Sequence, residues 1–144
     1  MVVIKPHTEK TIPPLQLMRL YEDVDWWPER TKEGIRKLLA HGIVLGAWED
    51  KQLVGFCRAV SDGVYRAYVE DVVVLRTHRG QKIGRQLIDK MIKELSGIEV
   101  VSLFCSTKLT DYYEKSGFKP TQQVVMHRSS RPSGSARNEP PERR

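Results

Sequence analysis

Small residues and cations surround one predicted helix start in the segment "HRGQKIGRQLIDKM", residues His78 to Met91. Gly80 and Gly84 lie at this start, and three cations lie beside them: Arg79, Lys82 and Arg85. The first amides of a helix have no partner inside the helix and carry partial positive charge, so small residues there let an anion approach. The spacing predicts a phosphate-binding turn built on the amides from Gln81 through Arg85. The alternative is that the glycines only relax the turn and permit close packing of helix on sheet.

Hydrophobic periodicity predicts the elements that position this turn. In chain order they are a strand VVIKP, helices in PPLQLMRLYEDV and TKEGIRKLLAHG, three strands between residues 43 and 75, a helix from about Gly80 to Leu95, a strand IEVVSLFCS, a short helix KLTDYYEKSGF and a last strand KPTQQVVMHR. The order β-α-α-β-β-β-α-β-α-β predicts an α/β (α+β) fold with a mixed central sheet and helices on both faces. The strand–helix–strand unit after residue 70 is expected to be a right-handed crossover between parallel neighbours.

Local signals refine these elements. Leu15 and Met18 are expected on the buried side of the first helix, with Leu17 and Tyr21 as further candidates. Thr31 is expected to cap the second helix. Turns are predicted at residues 49–51 and 61–63. The two cysteines, Cys57 and Cys105, lie in apolar predicted strands without metal-ligand spacing, which favours buried reduced thiols over a nucleophile.

Composition limits the class of protein. The chain has 144 residues and a net charge of +6, which suits one domain with a core. We expect a folded domain over residues 1–128 and a disordered basic tail over 129–144, which is rich in Ser, Pro, Gly and Arg. The absence of a long apolar run favours a cytoplasmic protein with no membrane partner. A nucleic-acid-binding domain is disfavoured, because the predicted strands are apolar rather than interleaved with aromatic and basic residues.

The turn after the fourth predicted strand resembles the signature of the GNAT superfamily, the GCN5-related N-acetyltransferases. That signature has Arg or Gln, two residues, Gly, one residue, then Gly or Ala. Arg79 and Gly84 match its ends, and Lys82 replaces its middle glycine. The replacement implies a right-handed backbone at Lys82 with a cation that helps to hold phosphates, or weaker cofactor binding.

A second region supports the resemblance. The segment "YYEKSGFKP", residues Tyr112 to Pro120, is similar to the family's FYEKxGFK segment. Within the family, the chain is similar both to glucosamine-phosphate N-acetyltransferases and to small amine acetyltransferases of the arylalkylamine type. Leu109 stands where the first group commonly has Asn, which argues against the aminosugar subgroup.

The resemblance implies acetyl-CoA as cofactor, held by the fourth strand, the turn and the C-terminal motif. A main-chain amide of the fourth strand, within Val73 to Leu75, would polarise the thioester carbonyl where a bulge separates that strand from the fifth. The implied cofactor-binding residues are Val72, Val73, Val74, Leu75, Arg79, Gly80, Gln81, Lys82, Ile83, Gly84, Arg85, Tyr113 and Lys115.

The implied reaction requires a base. An alkylammonium with a pKa of about 10.4 is neutral in roughly one molecule per thousand at pH 7, so a carboxylate that takes its proton would help. Glu70 and Asp71 are the candidates, and as strand neighbours they are expected to point to opposite faces. Glu70 is favoured. The alternatives are that Glu70 pairs with an arginine such as Arg58 or Arg66, and that Asp71 is structural.

The remaining roles also follow from the resemblance. Tyr113 matches the tyrosine that protonates the leaving thiolate, or else packs with its hydroxyl bonded to backbone, while Tyr112 is expected in the core. Trp26 and Trp27, with Tyr21, are expected to bind the acceptor as an aromatic wall or a cation–π surface. The alternative is that one tryptophan packs beneath the loop and the other half covers it.

The predicted function is therefore transfer of an acetyl group from acetyl-CoA to a primary amine of a small molecule by direct attack. The alternatives are a non-catalytic CoA-binding regulatory module and a protein or peptide N-acetyltransferase. No metal and no nucleic-acid partner are expected. For the oligomeric state, a homodimer stays an open alternative.

Overall fold

A computed structural model of the chain describes residues 1–130, which belong to two compact units. The first unit, Met1–Phe104, contains in chain order β1 (Val2–Pro6), α1 (Pro14–Asp23), α2 (Lys32–Leu39), β2 (Ile43–Glu49), β3 (Gln52–Ser61), β4 (Arg66–Val74), a 3-10 turn (Arg76–His78), α3 (Ile83–Glu94) and β5 (Val100–Leu103). The second unit begins at Cys105 and contains a 3-10 turn (Thr107–Leu109) and α4 (Thr110–Glu114).

One sheet organises the first unit, with its strands in the order β1-β2-β3-β4-β5. The first four strands are antiparallel neighbours, whereas β4 and β5 are parallel. The mixed sheet and the parallel pair joined through α3 confirm the predicted fold class.

Helices cover both faces of this sheet. A side chain added at Gly46 of β2 would meet Leu53 and Ile12, which belong to the core under α1. A side chain added at Gly55 of β3 would instead meet Ile83 and Leu87 of α3. The two layers are called the α1 face and the α3 face below.

The helix and turn signals act as predicted. Pro14 lies in the first turn of α1, where a missing N–H costs nothing. The Thr31 hydroxyl accepts a hydrogen bond from the Gly34 N–H at 3.0 Å and so caps α2. Asp62 Oδ1 accepts from the N–H groups of Val64 and Tyr65, each at 2.8 Å, which closes the turn between β3 and β4.

Several local predictions were wrong. Residues 119–128 form no strand, because their apolar side chains, Val124 and Met126 among them, are exposed and no buried face supports pairing. α3 begins at Ile83 rather than near Gly80, since Gly80 and Lys82 both have positive φ. Leu15 is exposed and Leu17 takes the buried position of α1.

The prediction that both cysteines are buried was correct for one of them and wrong for the other. Cys57 is buried as expected, but Cys105 is exposed because β5 ends before it, at Leu103. The predicted tail lies outside the described residues from position 131 onward. Within the described part, no helix is long and apolar enough to cross a bilayer.

Candidate active site

A β-bulge in β4 brings two carboxylates to one face of the sheet. Phe56 pairs with Val73 and Arg58 pairs with Glu70, so three steps along β4 oppose two steps along β3. Asp71 is the extra residue and has a φ of 56°. Because the bulge interrupts the alternation, Glu70 and Asp71 both contact the Arg58 guanidinium. The prediction that they point to opposite faces was wrong for this reason.

The Asp71 carboxylate is fully enclosed and accepts hydrogen bonds from four side chains. Its Oδ1 accepts from Trp27 Nε1 at 3.1 Å. Its Oδ2 accepts from Tyr21 Oη at 3.0 Å, Arg30 Nη1 at 3.2 Å and Arg58 Nε at 3.0 Å. Its side chain has 0% of its surface exposed. A carboxylate offers about four acceptor positions, so these donors leave little capacity to receive a substrate proton. The geometry fits the structural alternative for Asp71.

The loop between α1 and α2 is fixed by the same carboxylate. The Arg30 guanidinium lies over the Trp27 ring at 4.1 Å and the Tyr21 ring at 5.6 Å, while it also pairs with Asp71. Burial, and then the Asp71 charge, raise the pKa of Tyr21 well above its usual value, so its hydroxyl remains a donor. Trp26 and Trp27 are both buried in the core under α1, whereas the packing alternative expected this of only one of them.

Glu70 is the carboxylate of this pair that reaches solvent. Its side chain is 16% exposed and forms an ion pair with Arg58, as one alternative anticipated. Tyr68 lies two residues before it on the same face of β4. Burial, followed by the neighbouring Asp71 charge, raises the pKa of Glu70 above its usual value. A carboxylate with a raised pKa and some access to solvent is a stronger proton acceptor than an ordinary carboxylate, which suits the role of a base.

The strands β4 and β5 separate beside Glu70. Their parallel ladder pairs Arg66–Val69 with Val100–Leu103, and β4 then continues to Val74. The Leu75 N–H donates to the Val54 carbonyl of β3 at 2.9 Å, so this amide is not free to make the predicted contact with the cofactor. Since donor direction alternates along an antiparallel strand, the Val74 N–H points away from β3, toward the opening.

The start of α3 presents main-chain donors next along the chain. Among the described residues, no side chain caps this helix start, and its first turn contains no acidic residue. The first helical hydrogen bond here runs from the Gln86 N–H to the Lys82 carbonyl at 3.0 Å, so the amides of Ile83 and Gly84 precede the helical pattern. Gly80 has a φ of 83° and open space where a side chain would be.

Lys82 adopts a left-handed conformation, with φ 62° and ψ 20°. The predicted right-handed backbone was therefore wrong. Glycine adopts this conformation without steric cost, which explains why a glycine is usual in the family signature. Lys82 keeps the same turn shape at some cost in strain and adds a charge.

The second unit holds the C-terminal motif. Tyr113 of α4 is 5% exposed, and its ring makes edge contacts with Tyr112 at 5.0 Å and Phe118 at 6.2 Å between centroids. Tyr112 is less buried than Tyr113, contrary to expectation. Lys115 is exposed where α4 ends. The catalytic role of Tyr113 stays a prediction.

Sequence reasoning did not single out Arg30 or Tyr68, or the aromatic ring of Phe104. Tyr68 precedes Glu70 by two residues, so strand periodicity alone places both on one face, and this signal was available. Arg30 joins Asp71 across 41 positions of sequence, and no local pattern indicates such a contact.

The chain matches the family model "Acetyltransferase (GNAT) family" over residues 9–118. It is 34% identical over 79 residues to "Histone acetyltransferase TAP1" of Glycine max, an alignment that covers 54% of this chain and 34% of that protein. It is 32% identical over 101 residues to "Serotonin N-acetyltransferase 2, chloroplastic" of Oryza sativa subsp. japonica, covering 64% and 50%. The chain thus spans between a third and a half of the length of these two relatives.

A solved structure agrees with the sequence comparisons. A protein of Xanthomonas campestris pv. campestris, assigned to the GNAT family, superposes with a TM-score of 0.76 at 28% identity, covering 90% of this chain and 93% of that chain. The separation of β4 from β5 and the turn at Gly80 agree with the family match, and all three indicate the same type of domain. The chain belongs to the GNAT acetyltransferase family.

Proposed function

We propose that this protein is an acetyl-CoA-dependent N-acetyltransferase that acts on a primary amine of a small molecule. One observation carries the proposal: β4 leaves β5 after Val69, next to the carboxylate of Glu70. The chain then passes through the 3-10 turn Arg76–His78 to the start of α3, which has no side-chain cap in the described residues. A main-chain edge, a base and an anion-binding turn are the three parts that acetyl transfer from a diphosphate-bearing carrier requires.

The residues present fit acetyl-CoA. The Ile83 and Gly84 amides would meet its diphosphate, and the exposed Gln81 and Lys82 side chains would flank it. The Val74 N–H at the open edge would pair with the pantetheine arm or the thioester carbonyl, much as an added strand pairs with a sheet.

Acetyl-CoA supplies an acetyl thioester, whose carbonyl carbon accepts the amine nitrogen as the carbon–sulfur bond breaks. Glu70 takes the proton that the ammonium group must lose before its nitrogen attacks, directly or through water, and its raised pKa favours this. Tyr113 is proposed to donate a proton to the leaving sulfur. Asp71 takes no part in the proton transfer and holds the surrounding side chains.

Binding of the cofactor is testable without turnover. Calorimetric titration of the wild-type chain with desulfo-CoA should give saturable binding, and Gly84→Val should weaken it by at least about tenfold, because the added side chain obstructs the amides. Gly97→Val is the matched control, since Gly97 has open space around it. A thermal melt of each variant establishes that it is folded. Equal affinity of the Gly84 variant and the control would contradict the proposed cradle.

Catalysis is tested by the release of free thiol from acetyl-CoA with a panel of amines. The proposed function predicts amine-dependent release with at least one small primary amine. Binding of desulfo-CoA without release for any amine would favour the non-catalytic module. Release only with lysine-containing peptides would favour a protein acetyltransferase, an activity to which the name of the soybean relative refers.

A further inference from the structure

Part of the α1 face of the sheet is not covered by α1 or α2 and carries apolar side chains. Tyr68 is two residues before Glu70 on β4, and Val60 opposite it on β3 is 52% exposed. On β5, Phe104 follows the strand end and is 48% exposed. The Tyr68 and Phe104 rings lie 4.7 Å apart between centroids with a 34° tilt, so both side chains are on this face.

The position of this ring pair relates it to the reaction centre. The last pair of the β4–β5 ladder is Val69 with Leu103, and the next residue on each strand is Glu70 or Phe104. The carboxylate and the phenyl ring therefore flank the point where the strands separate. Tyr68 lies between the two, because it precedes Glu70 by two residues on one face of β4 and its ring packs on Phe104.

The charges near Glu70 limit what an acceptor can carry. Arg58 and Arg30 are bonded to Asp71, and Arg58 also pairs with Glu70, so neither guanidinium is turned toward a phosphate on an acceptor. Arg66 lies on the same face but four residues from Glu70, roughly 13 Å along the strand, and pairs with Glu99. A sugar phosphate whose amine reached Glu70 would find no partner for its phosphate among these arginines.

We propose that Tyr68 and Phe104 form the acceptor-binding wall and that the acceptor is a primary amine bearing an aromatic group on a short linker. The amine nitrogen lies at Glu70 and the aromatic group packs on Phe104. This inference rests on the proposed function and specifies its substrate class. It replaces the predicted wall of Trp26 and Trp27, which is enclosed in the core.

Burial supports the roles of the two rings. Burial, and then the Glu70 charge, raise the pKa of Tyr68, so its hydroxyl stays protonated. Phe104 offers a half-exposed ring, and burying such surface against a ligand ring is favourable in itself and through ring–ring geometry.

The test compares acceptors and variants. Thiol release from acetyl-CoA is measured with 2-phenylethylamine, ethylamine and glucosamine 6-phosphate, for the wild type, Phe104→Ala and Tyr65→Ala. Tyr65 is an exposed tyrosine just before β4, so its variant is the matched control. We expect wild type to prefer 2-phenylethylamine in kcat/KM by at least about tenfold over both other amines. Phe104→Ala should remove most of that preference by raising KM for 2-phenylethylamine, whereas Tyr65→Ala should leave the preference unchanged.

A binding measurement separates this inference from the proposed function. In the presence of desulfo-CoA, 2-phenylethylamine should raise the melting temperature of the wild type and of Tyr65→Ala, but not that of Phe104→Ala. Phe104→Leu keeps apolar volume and should retain part of this rise in melting temperature. It also keeps the test valid if Phe104→Ala misfolds. Amine-dependent release that prefers the sugar phosphate, or that ignores Phe104, would overturn the acceptor class while leaving the transferase intact. No release with any amine would overturn the transferase itself.

Discussion

At the scale of single residues, the bulge gives adjacent carboxylates different tasks. Asp71 is enclosed by donors, whereas Glu70 retains access to solvent and has a raised pKa. The difference arises because Asp71 is the residue that the bulge turns inward. Two neighbouring carboxylates that differ so strongly in environment commonly divide structural and catalytic roles.

Glu70→Gln should lower kcat/KM by about 100-fold at neutral pH, because a neutral amide cannot accept the proton of the ammonium. The affinity for desulfo-CoA should remain within about twofold, since the amide keeps the shape of the side chain. Thiol-release kinetics and calorimetry provide both values. Glu99→Gln, at an exposed carboxylate beyond the ladder, is the control and should retain full activity. Comparable activity of the two variants would exclude Glu70 as the base.

Arg58→Met should move the acid limb of the pH profile of kcat/KM toward higher pH. Glu70 must be ionised to act, so activity falls as pH drops through its raised pKa; loss of the Arg58 charge removes an influence that lowers this pKa. Arg66→Met removes a positive charge farther along the strand and should leave the limb in place. A limb that does not move in the Arg58 variant would mean that Glu70 does not control it.

At the scale of elements, the sequence allowed good prediction wherever a pattern is local. Apolar periodicity, Thr31 and the Asp62 turn predicted the helices and strands of the first unit, because propensity and capping act within a few residues. The strand predicted over residues 119–128 failed because strand formation depends on a partner that the pattern does not specify. The resemblance implied a bulge in the fourth strand, but its position at Asp71 was not predicted, because a positive φ at Asp leaves no trace in hydrophobic alternation.

The start of α3 gives a prediction at this scale. Lys82→Gly should raise the free energy of unfolding by about 0.5–1 kcal/mol, because a left-handed non-glycine residue costs about 1–2 kcal/mol and the greater freedom of glycine in the unfolded chain offsets part of this. Urea denaturation measures the change. Gln81→Gly, at the neighbouring position without a positive φ, is the control and should not stabilise. A loss of stability in Lys82→Gly would contradict the strain argument.

At the scale of the first unit as a whole, the Asp71 carboxylate joins segments that are far apart in sequence. Its donors come from α1, the loop after α1 and β3, and they include Tyr21, 50 positions away. Such contacts could not be predicted from sequence, because each depends on the complete fold. The same network fixes the loop that carries Trp27 and the strand that carries Glu70, so folding and the candidate site share one buried carboxylate.

Asp71→Asn should therefore destabilise the whole unit by about 3 kcal/mol or more. Asparagine preserves the size of the side chain but leaves Arg30 and Arg58 in a largely buried environment without the charge that compensates them, and removal of one partner of a buried pair typically costs this much. Urea denaturation followed by tryptophan fluorescence is the direct measurement, since Trp27 bonds to the altered carboxylate. Asp89→Asn, at an exposed position of α3, is the matched control and should remain within about 0.5 kcal/mol of the wild type. A loss below about 1 kcal/mol for Asp71→Asn would show that water or neighbouring groups replace the carboxylate, and that the network does not hold the unit together.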